Sequence, residues 1–171
     1  MRKILSVSFL GLLTACATYT QGPSAGAQLS PTKGNSTSGL VTFTQSGPKV
    51  LVSAEIRGLK PNAEHGFHIH EKGDCSSGDG MSTGGHFNPT TQSHGAHGTG
   101  SHHAGDLPSL VADANGVAKL KFETTSITID SGVTNIIGRG LIVHRDPDDY
   151  KTQPTGNAGP RLACAVITLS V

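Results

Sequence analysis

The chain has 171 residues, 23 of them glycine and 9 proline, with 4% aromatics and no tryptophan. That length fits one domain, or one domain plus a tail. Charged residues make up 15% and nearly balance, 13 basic against 12 acidic, which points away from a nucleic-acid-binding surface and from an acidic tail.

At the N-terminus Arg2 and Lys3 precede an apolar run over residues 4–13. The run is too short to span a bilayer and has the form of a secretory signal. It ends in Leu13-Thr14-Ala15-Cys16, which resembles the bacterial lipoprotein signal motif, whose cysteine is lipid-modified and then begins the mature chain. The alternative is an ordinary signal cut near Ala15 or Ala17, with Cys16 incidental. The complete motif directly after the apolar run favours lipidation. The reading is therefore a signal peptide over 1–15, a lipid-anchored flexible tether over 16–27, and a folded domain over 28–171. Ala17 stands where an aspartate would resemble an inner-membrane retention signal, which favours an outer membrane. Loss of Arg2 and Lys3 leaves 11 basic residues against the 12 acidic ones. Two further cysteines, Cys75 and Cys164, suggest one disulfide in an exported chain. Two buried free thiols are the alternative, which an oxidising compartment disfavours.

After the tether the pattern is one of short strands and turns. A strand is expected near 27–31, then at 40–44 and 49–56 around Ser46-Gly47-Pro48, and at 65–71. Segments 110–112 and 117–122 flank Asn115-Gly116, a hairpin signal. Segments 136–143 and 162–169 supply two more. No stretch sustains a helical period. About eight strands with regular turns predict an all-β fold, a sandwich or barrel. Two long irregular segments, 71–107 and 145–160, interrupt the pattern, and loops of that length in a compact domain are usually functional.

Histidine is where the chemistry concentrates. Eight of the nine histidines fall between His65 and His103, in a stretch too rich in glycine to be a helix. His68-Ile69-His70 is the sharpest feature: side chains two apart on a strand share a face, so both rings can reach one metal. His65 lies three before His68, on the opposite face, and reads as a structural, hydrogen-bonded residue. His97 and His102 sit in glycine-rich loop and read as solvent-facing. His102 competes with His103 for a ligand role.

Four segments, Gly66-Phe67-His68-Ile69-His70-Glu71, Gly85-His86-Phe87-Asn88-Pro89, Gly105-Asp106-Leu107 and Gly156-Asn157-Ala158-Gly159-Pro160-Arg161-Leu162-Ala163-Cys164, resemble copper,zinc superoxide dismutase. The resemblance covers residues 40–171, in family order. It implies an eight-stranded Greek-key β-barrel or sandwich, with the metal site outside it under two long loops. It implies copper on His68, His70, His86 and His144, and zinc on His86, His94, His103 and Asp106, with His86 as a bridging imidazolate. His103 is preferred to His102 because the family spacing runs from the histidine, over two residues, to the aspartate. Both donor sets suit their metals, since imidazole serves copper and zinc and a carboxylate is a common fourth zinc ligand. Asp148 would bridge His68 and His94, while Asp146 and Asp149 read as solvated loop acids. Arg161 would guide a small anion to the copper, and Cys164 would bond Cys75.

The implied reaction is disproportionation of superoxide, with Arg161 and His86 as catalytic residues. His86 would leave copper on reduction, take a proton and later give it up. The partners would be superoxide and a membrane reached through the lipid, and the role would be protection of the cell envelope. An envelope copper or zinc buffer or carrier on the same fold is the competing reading. It would need neither Arg161 nor a bridging histidine. A module that had lost its metals would show gaps in the ligand set, and none is visible. Cys75 follows His70 sooner than in the eukaryotic pattern, and 76–84 is a differently built loop. The eukaryotic dimer interface is therefore not carried over, and a homodimer stays open.

Overall fold

The computed structural model describes residues 22–170. The signal segment and Cys16 lie outside the described residues. Ten strands follow in order: β1 (Ser24–Pro31), β2 (Ser38–Ser46), β3 (Lys49–Arg57), β4 (Glu64–His65), β5 (Phe67–His70), β6 (Leu110–Val111), β7 (Ala118–Thr124), β8 (Gly140–His144), β9 (Arg161–Val166) and β10 (Thr168–Leu169). One 3-10 turn, Met81–Thr83, interrupts the first long loop, and there is no α-helix among the described residues. Eight strands form one antiparallel sheet in the order β5-β8-β9-β1-β2-β3-β7, with β10 also on β1, and β4 pairs β6 separately.

Alternation explains the burial. Val41 and Phe43 on β2, and Val50, Val52 and Ile56 on β3, are fully buried, while Leu40 and Leu51 face solvent. The same core receives Phe67 and Ile69 from β5, Leu141 and Val143 from β8, and Ala163 and Ala165 from β9. One core shared by both ends of the sheet requires the sheet to curl, and this is the barrel-like architecture expected. Each large side chain so buried contributes roughly 1.5–3 kcal/mol relative to exposure.

Five local expectations differ, one of them the segment 162–169, which is split at Ile167 into β9 and β10. The first strand begins at Ser24, so residues 24–27 belong to the sheet rather than to the tether. Small Ala25 and Ala27 are buried there. The segment 65–71 is split at Gly66 into β4 and β5. The turn at Asn115-Gly116 exists, with Gly116 at φ +72° and Asp113 N donating to Val117 O at 2.9 Å. Its flanking strands nevertheless part company, β6 joining β4 and β7 joining β3, because longer-range pairings outcompete the local one. The strand expected from 136 starts only at Gly140.

The disulfide Cys75–Cys164 forms, with 6.0 Å between the Cα atoms and 89 residues of separation. It ties the loop after β5 to β9. Closing a loop of that length contributes roughly 4–5 kcal/mol in the chain-entropy account.

Candidate metal centre

β5 carries His68 and His70 on one face, both fully buried. β8 ends at His144, where a bulge after Val143 shifts the register and sets His144 opposite Arg161, the first residue of β9. Bulges re-aim side chains next to functional sites in this way. The other edge of β5 is stitched to the first long loop. Ile69 N donates to Gly105 O and Phe87 N to Ile69 O, both at 2.9 Å. Gly105 must be glycine, since a Cβ there would lie 2.3 Å from Ile69 O. This stitching pairs His86 with His70 and Asp106 with His68.

Two groups result: His68, His70, His86 and His144, and His86, His94, His103 and Asp106. In each, one ligand atom per residue lies within 4.8 Å of the others, and every member is buried. His86 belongs to both.

Hydrogen bonds fix which nitrogen of each ring is free. His70 Nδ1 lies 2.9 Å from Gly84 O and His144 Nδ1 lies 3.1 Å from Gly159 O. A carbonyl only accepts, so both Nδ1 atoms carry the proton and both Nε2 atoms carry the lone pair. Those two Nε2 atoms stand 3.4 Å apart, with no proton to share. His68 Nε2 donates to Asp148 Oδ2 at 2.7 Å, and His86 Nδ1 to Asp106 Oδ1 at 2.9 Å. That leaves His68 Nδ1 and His86 Nε2 buried with no partner, as is His65 Nε2 outside both groups, while the nearest acceptor to His94 Nδ1 is the Asp106 carboxylate. Buried polar atoms are rarely left unpaired.

A metal ion satisfies this arrangement. In a tetrahedral site with metal–nitrogen bonds of 2.0–2.1 Å, ligand nitrogens stand roughly 3.3 Å apart. The Nε2 pair of His70 and His144 at 3.4 Å, and the Nδ1 pair of His86 and His103 at 3.5 Å, match that edge length. The second group adds a carboxylate, with Asp106 Oδ1 3.0 Å from His94 Nδ1. Four neutral imidazoles suit copper, and three imidazoles with a carboxylate suit zinc.

The electrostatics agree. Burial, reinforced by neighbouring rings, pushes His70 and His144 well below the usual imidazole value, and burial brings His86 down to about 4. These rings are neutral at pH 7: His70 and His144 need shed no proton to bind a metal, and His86 sheds only its Nδ1 proton to serve both groups. Burial opposes a charge on His94, but hydrogen bonds to Asp106 and Asp148 outweigh it and raise the ring to about 9. Burial likewise opposes ionisation of Asp106 and Asp148, yet hydrogen bonds from the surrounding histidines hold both below the usual carboxylate range.

Asp148 reaches both groups, its Oδ1 lying 2.9 Å from His94 Nε2 and its Oδ2 on His68. Gly156 packs against this contact. A Cβ there would fall 1.9 Å from Asp148 Oδ1, and the residue has φ +65°. Arg161 is half-buried and clamped. Nη1 donates to Gly80 O at 2.5 Å and Thr83 Oγ1 at 2.6 Å, and Nη2 to Gly84 O at 2.7 Å. Gly84 O therefore accepts from both Arg161 and His70. Cys164 is three residues beyond Arg161, so the disulfide anchors the loop that holds the guanidinium.

His65 is buried, with Nδ1 2.9 Å from His144 O, and is in neither group. Asp146 pairs with Arg145 at 2.9 Å, and Asp149 caps the turn at Lys151 and Thr152. His97 and His102 are half-buried rather than solvent-facing. Sequence reasoning missed three supporting residues. Gln153 grips the backbone of His94, accepting from its N and donating to its O, both at 2.9 Å. Tyr150 donates its backbone N–H to Asp148 Oδ1 at 2.7 Å and places its hydroxyl 2.6 Å from Ser109 Oγ. Thr83 completes the arginine clamp. Nothing local marks these side chains. The only available signal was that two ligand-bearing loops need polar groups to join them.

Fold and site together define a β-sandwich metalloprotein with two histidine-rich centres that share one ring. The chain belongs to the copper,zinc superoxide dismutase family: residues 37–167 match the family described as copper/zinc superoxide dismutase (SODC). It is 37% identical over 171 residues to "Superoxide dismutase [Cu-Zn] 2" of Aquifex aeolicus (strain VF5), covering 98% of this chain and 99% of that protein. It is 44% identical over 141 residues to "Superoxide dismutase [Cu-Zn]" of Saccharomyces cerevisiae, covering 78% of this chain and 90% of that one. Among solved structures, that of "the clock protein EA4" superposes with a TM-score of 0.79 at 42% identity, covering 89% of this chain and 98% of that chain. The protein is a superoxide dismutase that uses copper and zinc.

Proposed function

We propose that His68, His70, His86 and His144 hold copper, and that His86, His94, His103 and Asp106 hold zinc, with His86 shared. The observation that carries this reading is the set of buried imidazole lone pairs with no hydrogen-bond partner. When bound, copper supplies one-electron chemistry between Cu(II) and Cu(I), whereas zinc has no redox chemistry and supplies charge and order. The overall reaction takes two superoxide anions and two protons to dioxygen and hydrogen peroxide. Arg161 draws in and orients the anion, and its clamp places the charge before substrate arrives. His86 would hold a proton at Nε2 and return it, passing between neutral imidazole and imidazolate. Copper and zinc analysis of the purified protein, alongside a superoxide-removal assay, tests the function. Metal-replete protein without activity would favour a buffer or carrier.

Asp148 fixes the orientation of His68 and His94. Replacing it with alanine should weaken zinc binding by roughly 10–100-fold, the usual cost of losing an outer hydrogen-bond partner. Chelator competition reads this directly, and an unaltered zinc affinity would remove Asp148 from the role.

We further read the chain as exported, lipidated at Cys16 and held at the bacterial envelope, the outer membrane favoured, where it removes superoxide. The apolar run at 4–13, the motif ending in Cys16 and the disulfide all support this reading. A Cys16→Ser protein should appear in the soluble fraction with undiminished activity per molecule, since stable anchoring takes about two acyl chains. Identical partitioning of parent and variant between membrane and soluble fractions would rule out the anchor.

A further inference from the structure

The loop between His94 and His103 carries two histidines, His97 and His102, that belong to neither metal group. We propose that this pair forms a third metal site, at the protein surface, for a divalent transition-metal ion, with Cu(II) bound most tightly.

The tautomers favour it. His97 Nδ1 donates to the backbone carbonyl of Asp106 at 2.9 Å, so the ring presents its lone pair at Nε2. That Nε2 carries no hydrogen bond among the described residues and is not one of the sealed, unpartnered nitrogens. His102 has Nδ1 3.4 Å from Gly100 O and Nε2 3.1 Å from Ser126 Oγ. With the proton on Nδ1, its Nε2 accepts from the serine hydroxyl. A hydroxyl rotates freely and water can replace it, so this lone pair is also available.

Spacing favours it as well. The two ring centroids are 5.4 Å apart with an interplanar angle of 68°. The three histidine pairs of the zinc group in this same chain stand at 5.2, 5.5 and 5.5 Å. Rings at that separation can turn one nitrogen each toward a common ion. The edge of His97 also rests on Phe122, at 5.3 Å between centroids, which holds one of the two rings in place.

Both histidines line a surface hollow of about 380 Å³ whose wall includes Glu123. The Glu123 carboxylate is paired with Lys49 at 2.7 Å, which leaves the imidazoles as the donor set, with water completing the coordination. Neutral imidazole donors bind Cu(II) ahead of Zn(II) in the usual order of divalent ions. Because His97 leans on Asp106 through the backbone and His102 adjoins His103, an ion here lies beside the zinc group without using its ligands.

The test starts from the full chain with copper and zinc in place and loosely held ions removed by a brief chelator wash. Cu(II) is then titrated in by equilibrium dialysis, with electron paramagnetic resonance as the second readout. The parent should take up one further equivalent, with a signal split by two nitrogens. His97→Asn and His102→Asn should each weaken that uptake by roughly tenfold or more, at least the cost of losing an outer-shell partner. The double variant should take up no further equivalent. Before the titration, copper and zinc content and dismutation rate should match the parent in His102→Asn. Because the His102 ring is bonded, among the described residues, only to Gly100 and Ser126, His102→Asn keeps the test decisive if the double variant misfolds. No further equivalent in the parent would overturn the proposal. So would undiminished uptake in His102→Asn, which would place the ion elsewhere on the surface.

Discussion

A His144→Ala protein should lose dismutation to background while retaining a full equivalent of zinc. His144 is assigned to copper alone. Its Nε2 lies 3.4 Å from that of His70, and it is absent from the group of His86, His94, His103 and Asp106. Truncation removes one of four copper donors and opens the pocket beside Arg161, its cross-strand partner. The fold should survive, because the structural bonds at this position belong to the backbone: His144 N donates to Gly66 O at 2.8 Å, and His144 O accepts from His65. Metal analysis, circular dichroism and a superoxide assay on one preparation separate the outcomes. Near-normal activity in a copper-loaded variant would sink the ligand assignment, and loss of zinc together with copper would show that the two groups are not separable at His144.

Local chemistry made the centre legible. His68 and His70 were readable because a strand puts alternate residues on one face, and that face is fixed before any tertiary contact forms. His86, His94, His103 and Asp106 were readable only through long motifs, since a histidine in a glycine-rich loop carries no geometric signature of its own. The sequence was silent on what depends on distant pairing. The bulge after Val143 sets His144 opposite Arg161, yet nothing in Leu-Ile-Val-His announces it. Gly84 O serves His70 and Arg161 together, but a carbonyl has no sequence identity. The same limit explains the fold errors. Asn115-Gly116 is a sound turn, but turn chemistry does not say which strands will pair. Ala25 and Ala27 looked like tether because small residues mark flexible chain and tightly packed strands alike.

That arginine clamp leads to the other large effect. Arg161→Glu should slow catalysis by on the order of 10–10³-fold, the range over which electrostatic steering alters encounter, with both metals still bound. Superoxide is a small anion, and reversal of this charge repels it from the copper side of the site. Arg161 is outside both metal groups, so the loss belongs to encounter and binding rather than to a broken centre. The change also strips three hydrogen bonds from Gly80, Thr83 and Gly84 and turns a carboxylate toward two carbonyls. The loop over 76–84 would loosen, and the disulfide at Cys75 limits how far. Two milder variants separate charge from clamp. Arg161→Lys keeps the charge but lacks the planar fork, and should cost least. Arg161→Gln keeps a donor without the charge, and should fall between lysine and glutamate. If the clamp mattered more than the charge, glutamine would do as well as lysine or better. Rate constants at several ionic strengths decide the matter, with copper and zinc measured for each protein. The parent should slow as salt screens the attraction, and the glutamate variant should lose that slope or reverse it. An unchanged rate and slope in Arg161→Glu would end the anion-guiding role.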